Sequence, residues 1–148
     1  MAVATHVSRV AKDYAPFGYS IMETVTASRD CAAGGTTAFY VPVYYADDAD
    51  VWIESATLWT QTALSSEVTN FWTLSLVSGT SGVSGEAAIS DPVGGASEAI
   101  AINVLTDMRI PGDPSVASGS TIWLKCLPNH ASSAAESFGV IVRLRRKA

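Results

Sequence analysis

Charged side chains are scarce in this sequence. They account for 16% of its 148 residues, whereas soluble domains average about 25%, and the mean hydropathy is positive at +0.24. The length suits one domain with a core of its own. Because few charges would have to be desolvated, such a surface favours contact with neighbouring proteins.

Basic residues are absent from the middle of the chain. No Lys or Arg lies between Arg29 and Arg109, and the net charge is −5. A nucleic-acid ligand would need a broad basic face, so the sequence predicts no nucleic-acid partner. We expect the acidic middle to face water and the basic ends to face a partner. The carboxylates of the middle are Asp30, Asp47, Asp48, Asp50, Glu54, Glu67, Glu86, Asp91, Glu98 and Asp107.

Long apolar runs are also missing. No run reaches the roughly 18 residues of a transmembrane helix, so no membrane partner is predicted. The N-terminal residues lack the continuous apolar segment of a secretory signal peptide. We therefore expect synthesis in the cytoplasm.

Cysteine is rare, and its two occurrences are far apart. Cys31 and Cys126 have no CxxC motif and no neighbouring histidine, which argues against a zinc site. Without a signal peptide or a dense cysteine pattern, we predict that both are reduced thiols.

Residues suited to catalysis are few. The two histidines, His6 and His130, have no nucleophile motif beside them, since Gly82–Glu86 lacks the last glycine of a Gly-x-Ser-x-Gly elbow. No glycine motif for phosphate binding occurs. The sequence predicts neither an enzyme nor a bound cofactor.

Three clustered carboxylates raise the question of calcium, because this ion prefers several oxygen ligands. Asp47, Asp48 and Asp50 lack the glycine and the glutamate that an EF-hand loop places at fixed positions. A solvated turn between two strands is the favoured interpretation, and calcium binding stays open.

What the sequence does contain is a series of short strands rich in β-branched and aromatic residues. No long amphipathic helix interrupts them. We predict one all-β domain over residues 20–148, an antiparallel β-sandwich or jelly roll of about seven or eight strands, preceded by an extended arm over residues 1–19. The predicted strands are Ile21–Ala27, Thr37–Tyr45, Val51–Thr60, Asn70–Ser78, Ala87–Ile89, Ser120–Leu127 and Ser137–Arg146, while Glu98–Asp107 fits a strand or a short helix.

Two strands carry specific expectations. Pro42 cannot donate a ladder hydrogen bond, so its strand should lie at a sheet edge or contain a bulge. Simple alternation places Trp52 and Trp59 on opposite sides of their strand, with Trp52 the exposed one. Together with Tyr44 and Tyr45, Trp52 supplies more aromatic surface than one sandwich can bury, which predicts self-association, with three-fold symmetry expected.

The chain ends provide the other candidate contact residues. Tyr14, Phe17 and Tyr19 lie in the arm. The arm sequence lacks the strand or helix periodicity that would bury them in their own domain, so we expect a partner to order the arm. In the last strand, Arg143, Arg145 and Lys147 share one face, and Val142, Leu144 and Arg146 share the other. Like charges in a row favour contact with carboxylates of a neighbour or partner.

The strands and turns of residues 37–127 resemble those of tailed-phage capsid decoration proteins. The matching segments are Val41–Ala46, then Ile53, Ala56 and Leu58, then Asn70–Leu76, Gly79–Gly82 and the late strand that follows Gly119-Ser120, where an aspartate is usual at 120. The resemblance implies a jelly-roll module that binds the major capsid protein on the outside of an icosahedral shell, often as a trimer, after synthesis in the host cytoplasm. A carbohydrate- or receptor-binding β-sandwich, such as a fibre tip domain, is the alternative, and an exposed Trp52 fits both.

Overall fold

The described part of the chain forms ten β-strands, four of which have only two residues. The structure is a computed structural model and describes residues 20–32, 35–64, 71–80, 85–96, 98–129 and 136–147. The predicted number of seven or eight strands was low because such short pairings leave little sequence pattern. The strands are β1 (Ser20–Cys31), β2 (Phe39–Tyr45), β3 (Val51–Thr60), β4 (Trp72–Gly79), β5 (Ala87–Ala88), β6 (Val93–Gly94), β7 (Thr106–Asp107), β8 (Ser115–Val116), β9 (Thr121–Pro128) and β10 (Glu136–Lys147).

Two antiparallel sheets build the sandwich, as predicted. Sheet A has the order β1-β10-β3, and β7 and β8 both pair with the far side of β3. Sheet B has the order β2-β9-β4, and β5 and β6 both pair with the far side of β4. Within the residues described, no helix is long and apolar enough to cross a membrane.

The core lies between the sheets because apolar residues alternate along the central strands. In β9 every second residue is buried, beginning with Ile122, and β10 follows the same pattern from Phe138 to Leu144. Burial of one such side chain contributes roughly 1.5–3 kcal/mol. The largest fully buried side chains of the central strands are Ile53, Leu58, Leu74, Leu76, Ile122, Leu124, Phe138 and Leu144.

The strand that contains Pro42 has both features that proline imposes. β2 is the edge strand of sheet B, and its register with β9 shifts between Pro42 and Tyr44. The expectation of an edge position or a bulge is therefore confirmed.

A second bulge corrects the prediction for the tryptophans. In the β3–β10 ladder, Ser55 pairs with Arg143 and Ile53 pairs with Leu144, so Glu54 has no partner of its own. The extra residue reverses the alternation, because a bulge exchanges the two faces beyond it. Trp52 and Trp59 consequently lie on the same outer face of sheet A, not on opposite sides.

The segment from Glu98 to Asp107 is neither a continuous strand nor a helix. Ile100 forms an isolated bridge with Leu64, a turn follows with Asn103 at a φ of 54°, and only Thr106–Asp107 pairs with β3. The run of apolar residues suggested regular structure, whereas the turn at Asn103 breaks it.

At Gly94 both the backbone conformation and the neighbouring strand require a glycine. Its φ is +86°, and a Cβ there would lie 2.6 Å from the backbone oxygen of Trp72, which cannot move without disturbing β4. We predict that Gly94→Ala lowers the free energy of unfolding by at least about twice as much as Gly112→Ala, whose φ is also positive but whose Cβ would meet open space. Urea unfolding of both variants tests this, and equal losses would contradict it.

Candidate functional site

The outer face of sheet A presents three adjacent columns of side chains. The regular pairing of β1 with β10 and the pairing of β10 with β3, which contains the bulge at Glu54, set the rows. The row at one end contains an ion pair, and the row at the other end contains an aspartate. Between them lie hydroxyl, apolar and aromatic side chains, which surround Arg143. From β1 come Met22, Thr24, Thr26, Ser28 and Asp30; from β10 come Arg145, Arg143, Ile141, Gly139 and Ser137; from β3 come Trp52, Ser55, Thr57 and Trp59.

At one end of this face, Trp52 is covered by an arginine. The guanidinium carbon of Arg145 lies 5.5 Å from the centre of the Trp52 ring. The same guanidinium pairs with Glu54 at 2.7 Å and with Asp113 at 3.5 Å. Because this guanidinium covers its ring, the half-buried Trp52 is not the open aromatic platform that the sequence suggested.

The basic residues of β10 therefore differ in what they contact. Val142 and Leu144 are buried, as predicted, and Arg143 is exposed on the other face with no ion pair to any described residue. Arg146 pairs with Glu23 at 3.4 Å and with Asp48 at 3.5 Å. Arg145 and Arg146 form ion pairs within the chain, so carboxylates of neighbouring segments lie opposite Arg145, which is one of the two arrangements expected for it. Lys147 ends β10, and its side chain lies outside the described part.

Trp59 lies flat on the sheet. A Cβ on Gly139 would overlap three bonded atoms of the Trp59 indole, Nε1, Cε2 and Cζ2, by nearly the same amount. Because Cε2 is slightly nearer than its two neighbours, that point lies above the face of the ring and not beyond its edge. Gly139 thus makes room for a half-buried aromatic ring parallel to the surface.

A small open cavity adjoins Trp59 one row further along the strands. Its volume is about 170 Å³, and it is lined by Asp30, Cys31, Gln61, Thr62, Glu136 and Ser137. Glu136 is buried, and its Oε1 accepts hydrogen bonds from the backbone N–H of Thr62 at 3.2 Å and of Ser137 at 3.0 Å. The Ser137 hydroxyl donates to Asp30. Two carboxylates, those of Asp30 and Glu136, therefore line the cavity, although most of its accessible wall is apolar.

The two cysteines meet at the inner wall of this cavity. Both are buried free thiols. A hydrogen bond from Cys126 lowers the pKa of the Cys31 thiol, with a further contribution from the positive charge of Arg29. The same contact, together with burial, raises the pKa of Cys126.

Residues 101–105 form an exposed apolar loop that was not predicted from the sequence. Ile102, Val104 and Leu105 are 47%, 52% and 59% exposed. Backbone hydrogen bonds fix the loop at both sides of its turn, between Ile100 and Leu64 and from Asn103 to Thr60. The signal was present in the sequence: Asn103, a residue that favours turns, interrupts branched apolar residues.

The remaining predicted contact residues are scattered. Tyr14, Phe17 and Tyr19 lie outside the described residues. Tyr45 is 58% exposed, whereas Tyr44 is half-buried against the core, where burial raises the pKa of its hydroxyl.

Of the three aspartates for which calcium binding was left open, Asp48 and Asp50 have partners for their carboxylates, whereas Asp47 is engaged through its backbone carbonyl. Asp50 accepts the backbone N–H of Ser118 at 3.0 Å, the carbonyl of Asp47 accepts the Ser118 hydroxyl at 3.0 Å, and Asp48 pairs with Arg146. Across the described ranges, no three histidine, cysteine or acidic side chains converge as metal ligands would.

The outer face of sheet B, in contrast, carries a compact polar network. Glu86 accepts hydrogen bonds from Lys125 and from the Tyr40 hydroxyl, each at 2.6 Å. Tyr40 also packs edge-on against Trp123. Lys125 and then Tyr40 lower the pKa of the Glu86 carboxyl.

Comparison with known proteins yields a fold likeness. No protein-family model matches this chain, and no curated protein sequence matches it. A chain of the cyanophage Pam1 capsid asymmetric unit superposes with a TM-score of 0.55 and 19% identity, over 87% of this chain and 86% of that one. A chain of the Bacillus endospore appendages, a family of disulfide-linked pili, gives a TM-score of 0.45 and 18% identity, over 88% and 89%. The cyanophage chain shows that the same sandwich fold occurs in a capsid assembly.

The Glu86 network predicts a pH dependence of stability. Because the folded-state pKa of Glu86 is lowered, its contribution is present above the unfolded pKa and is lost as the pH falls through the folded one. The difference in Tm between wild type and Glu86→Gln should therefore be largest near neutral pH and shrink below about pH 4. Thermal melts across this range test it, and a difference independent of pH would contradict it.

Proposed function

We propose that this protein is a structural virion component that binds the outside of an icosahedral phage capsid as a trimer and stabilises the shell. The observation that carries the proposal is the fold shared with a chain of the cyanophage Pam1 capsid asymmetric unit over nearly the full length of both chains. The strand-and-turn resemblance to decoration proteins supports it from the sequence. The proposed partner is the major capsid protein, and the role is not enzymatic.

The apolar loop 101–105 is the best described surface for such a contact. Three large apolar side chains that lie close together and exposed are costly to leave in water and are typical of a protein-binding site. The loop is already fixed by the Ile100–Leu64 bridge and by the salt bridge of Glu98 with Arg109 at 2.9 Å. A fixed loop loses little conformational entropy on binding.

Arg143 supplies a charged contact on the same sheet. Its neighbours in the ladder are Thr24 and Ser55, so the domain provides no carboxylate directly beside it. An acidic group of the shell would complete this pairing. The arm, residues 1–19, is the third element that we assign to attachment.

Three variants test attachment with purified shells that lack the protein. Deletion of residues 2–15, the triple change Ile102→Ser, Val104→Ser and Leu105→Ser, and Arg143→Glu should each leave a folded domain that decorates shells less tightly. The effect of Arg143→Glu should decrease with added salt, because exposed charges are screened over about 8 Å at physiological ionic strength. Ala87→Ser, a change at an exposed residue of β5 in sheet B, is the control.

Co-sedimentation with shells and the sedimentation mass of the free protein are the measurements. Undiminished decoration by all three variants would refute the proposed attachment surfaces. A free protein that is monomeric at high micromolar concentration would refute the trimer.

Carbohydrate binding is a second candidate, favoured by the flat Trp59 ring beside a cavity whose lining includes the polar side chains of Asp30 and Gln61. The C–H face of a sugar stacks on an aromatic ring, and hydroxyl groups need donors and acceptors such as Asp30 and Gln61. The acidic lining favours a neutral sugar. Successive rows lie about 7 Å apart, so one disaccharide can contact both the ring and the cavity.

We expect lactose, maltose, cellobiose or chitobiose to change tryptophan fluorescence in a saturable way. Trp59→Ala should weaken that binding by at least about tenfold, equivalent to 1.4 kcal/mol. Trp52→Ala, which removes the tryptophan covered by Arg145, should leave it unchanged. The candidate fails if none of the four sugars binds at millimolar concentration.

A further inference from the structure

The cysteines belong to different sheets but lie side by side. Cys31 ends β1 in sheet A, and Cys126 lies in β9 of sheet B, where it pairs with Phe39 of β2. The end of β1 reaches over this position, because the Arg29 guanidinium lies 5.1 Å from the Phe39 ring centre and donates to the Tyr40 carbonyl at 3.2 Å. The two thiols, 95 positions apart in sequence, lie close enough for Cys126 to lower the pKa of Cys31.

The thiols differ in their access to solvent. Cys31 is among the residues that line the 170 Å³ cavity, beside Asp30 and Ser137, and Cys126 is not. Cys126 is fully buried behind it. A small reagent entering the cavity would therefore meet Cys31 first.

The thiols also differ in reactivity. The hydrogen bond from Cys126 and the charge of Arg29 lower the pKa of Cys31, which favours its thiolate, while the pKa of Cys126 is raised. The thiolate is the nucleophile in thiol–disulfide exchange. Access and acidity thus select the same cysteine.

We propose that Cys31 and Cys126 are a redox-active pair that a small-molecule disulfide converts into a covalent link between the two sheets. The Cys31 thiolate attacks one sulfur of the disulfide R–S–S–R, forms Cys31–S–S–R and releases one thiolate. Cys126 then attacks the Cys31 sulfur, passes its proton to the released thiolate, and expels the second R–S⁻. In total the two cysteines lose two electrons, which reduce the small disulfide to two thiols. One of these thiols is ionised, as Cys31 was at the start, so the charge is unchanged.

The link would have a large effect on stability. It would join the edge strand of sheet A, whose ladder partner is β10, to the centre of sheet B. A cross-link that closes a loop of this length restricts the unfolded chain strongly. The protein would be reduced when made in a reducing cytoplasm and would become locked in an oxidising medium.

Oxidised glutathione added to the folded, full-length protein tests the pair. We expect a loss of both free thiols, an intact mass lower by two hydrogens, a Cys31–Cys126 peptide after digestion, and a rise in Tm of about 10 °C that a reductant reverses. The double variant Cys31→Ser, Cys126→Ser should fold, and its Tm should not respond to glutathione.

The single variants test the order of the two steps. Cys126→Ser should accumulate a mixed disulfide with glutathione at Cys31, whereas Cys31→Ser should remain unmodified while folded and react only in urea. Retention of both thiols in the folded wild type, oxidation to dimers between chains, or equal reaction of the two single variants would each overturn the proposal.

Discussion

One irregularity in the β3–β10 ladder determines what the outer face of sheet A contains. Without the extra residue at Glu54, strict alternation would turn either Trp52 or Trp59 into the core, where Ala56 and Leu58 now pack. With it, both indoles lie outside, one beneath Arg145 and the other on Gly139. The bulge also places Glu54 where it can pair with Arg145. The same local insertion therefore fixes the core register, the ion pair at one end of the face and the aromatic ring at the other.

The outer faces of the two sheets differ in whether their charged side chains have partners among the described residues. On sheet B, Glu86 satisfies Lys125 and Tyr40 within the domain, and the indole N–H of Trp123 donates to the Gly79 carbonyl at 3.2 Å. On sheet A, Arg143 has no such partner among the described residues. A face that is already satisfied gains little from a new contact, since binding would replace bonds it already makes. The open face is sheet A, and the apolar loop lies next to it through β7.

The core strands could be predicted from the sequence, whereas the surface features could not. Val51–Thr60 was predicted with the bounds it has, and the edge position of Pro42 followed from its missing N–H. Alternation carries this information only while the register is regular. The bulge at Glu54, the ion pairs of Arg145 and Arg146 and the contact of Cys31 with Cys126 all depend on which strands become neighbours. The exposure of Ile102 to Leu105 depends on a turn inside an apolar run, which resembles a strand until its partners are known.

The apolar loop and the flat ring of Trp59 lie at the same end of sheet A, and this limits how they can be used. The Asn103 N–H donates to the Thr60 carbonyl, next to Trp59, and Thr106 pairs with Leu58. A large partner seated on the loop would therefore cover the ring as well. Arg143 lies two rows away, toward Trp52. If a shell surface takes the loop, the ring belongs to that interface and is closed to sugars; if the attachment runs through Arg143 and the arm, the ring stays open on the decorated particle. For the proposed attachment to a shell, the accessibility of Trp59 would therefore indicate which of the two contacts is used.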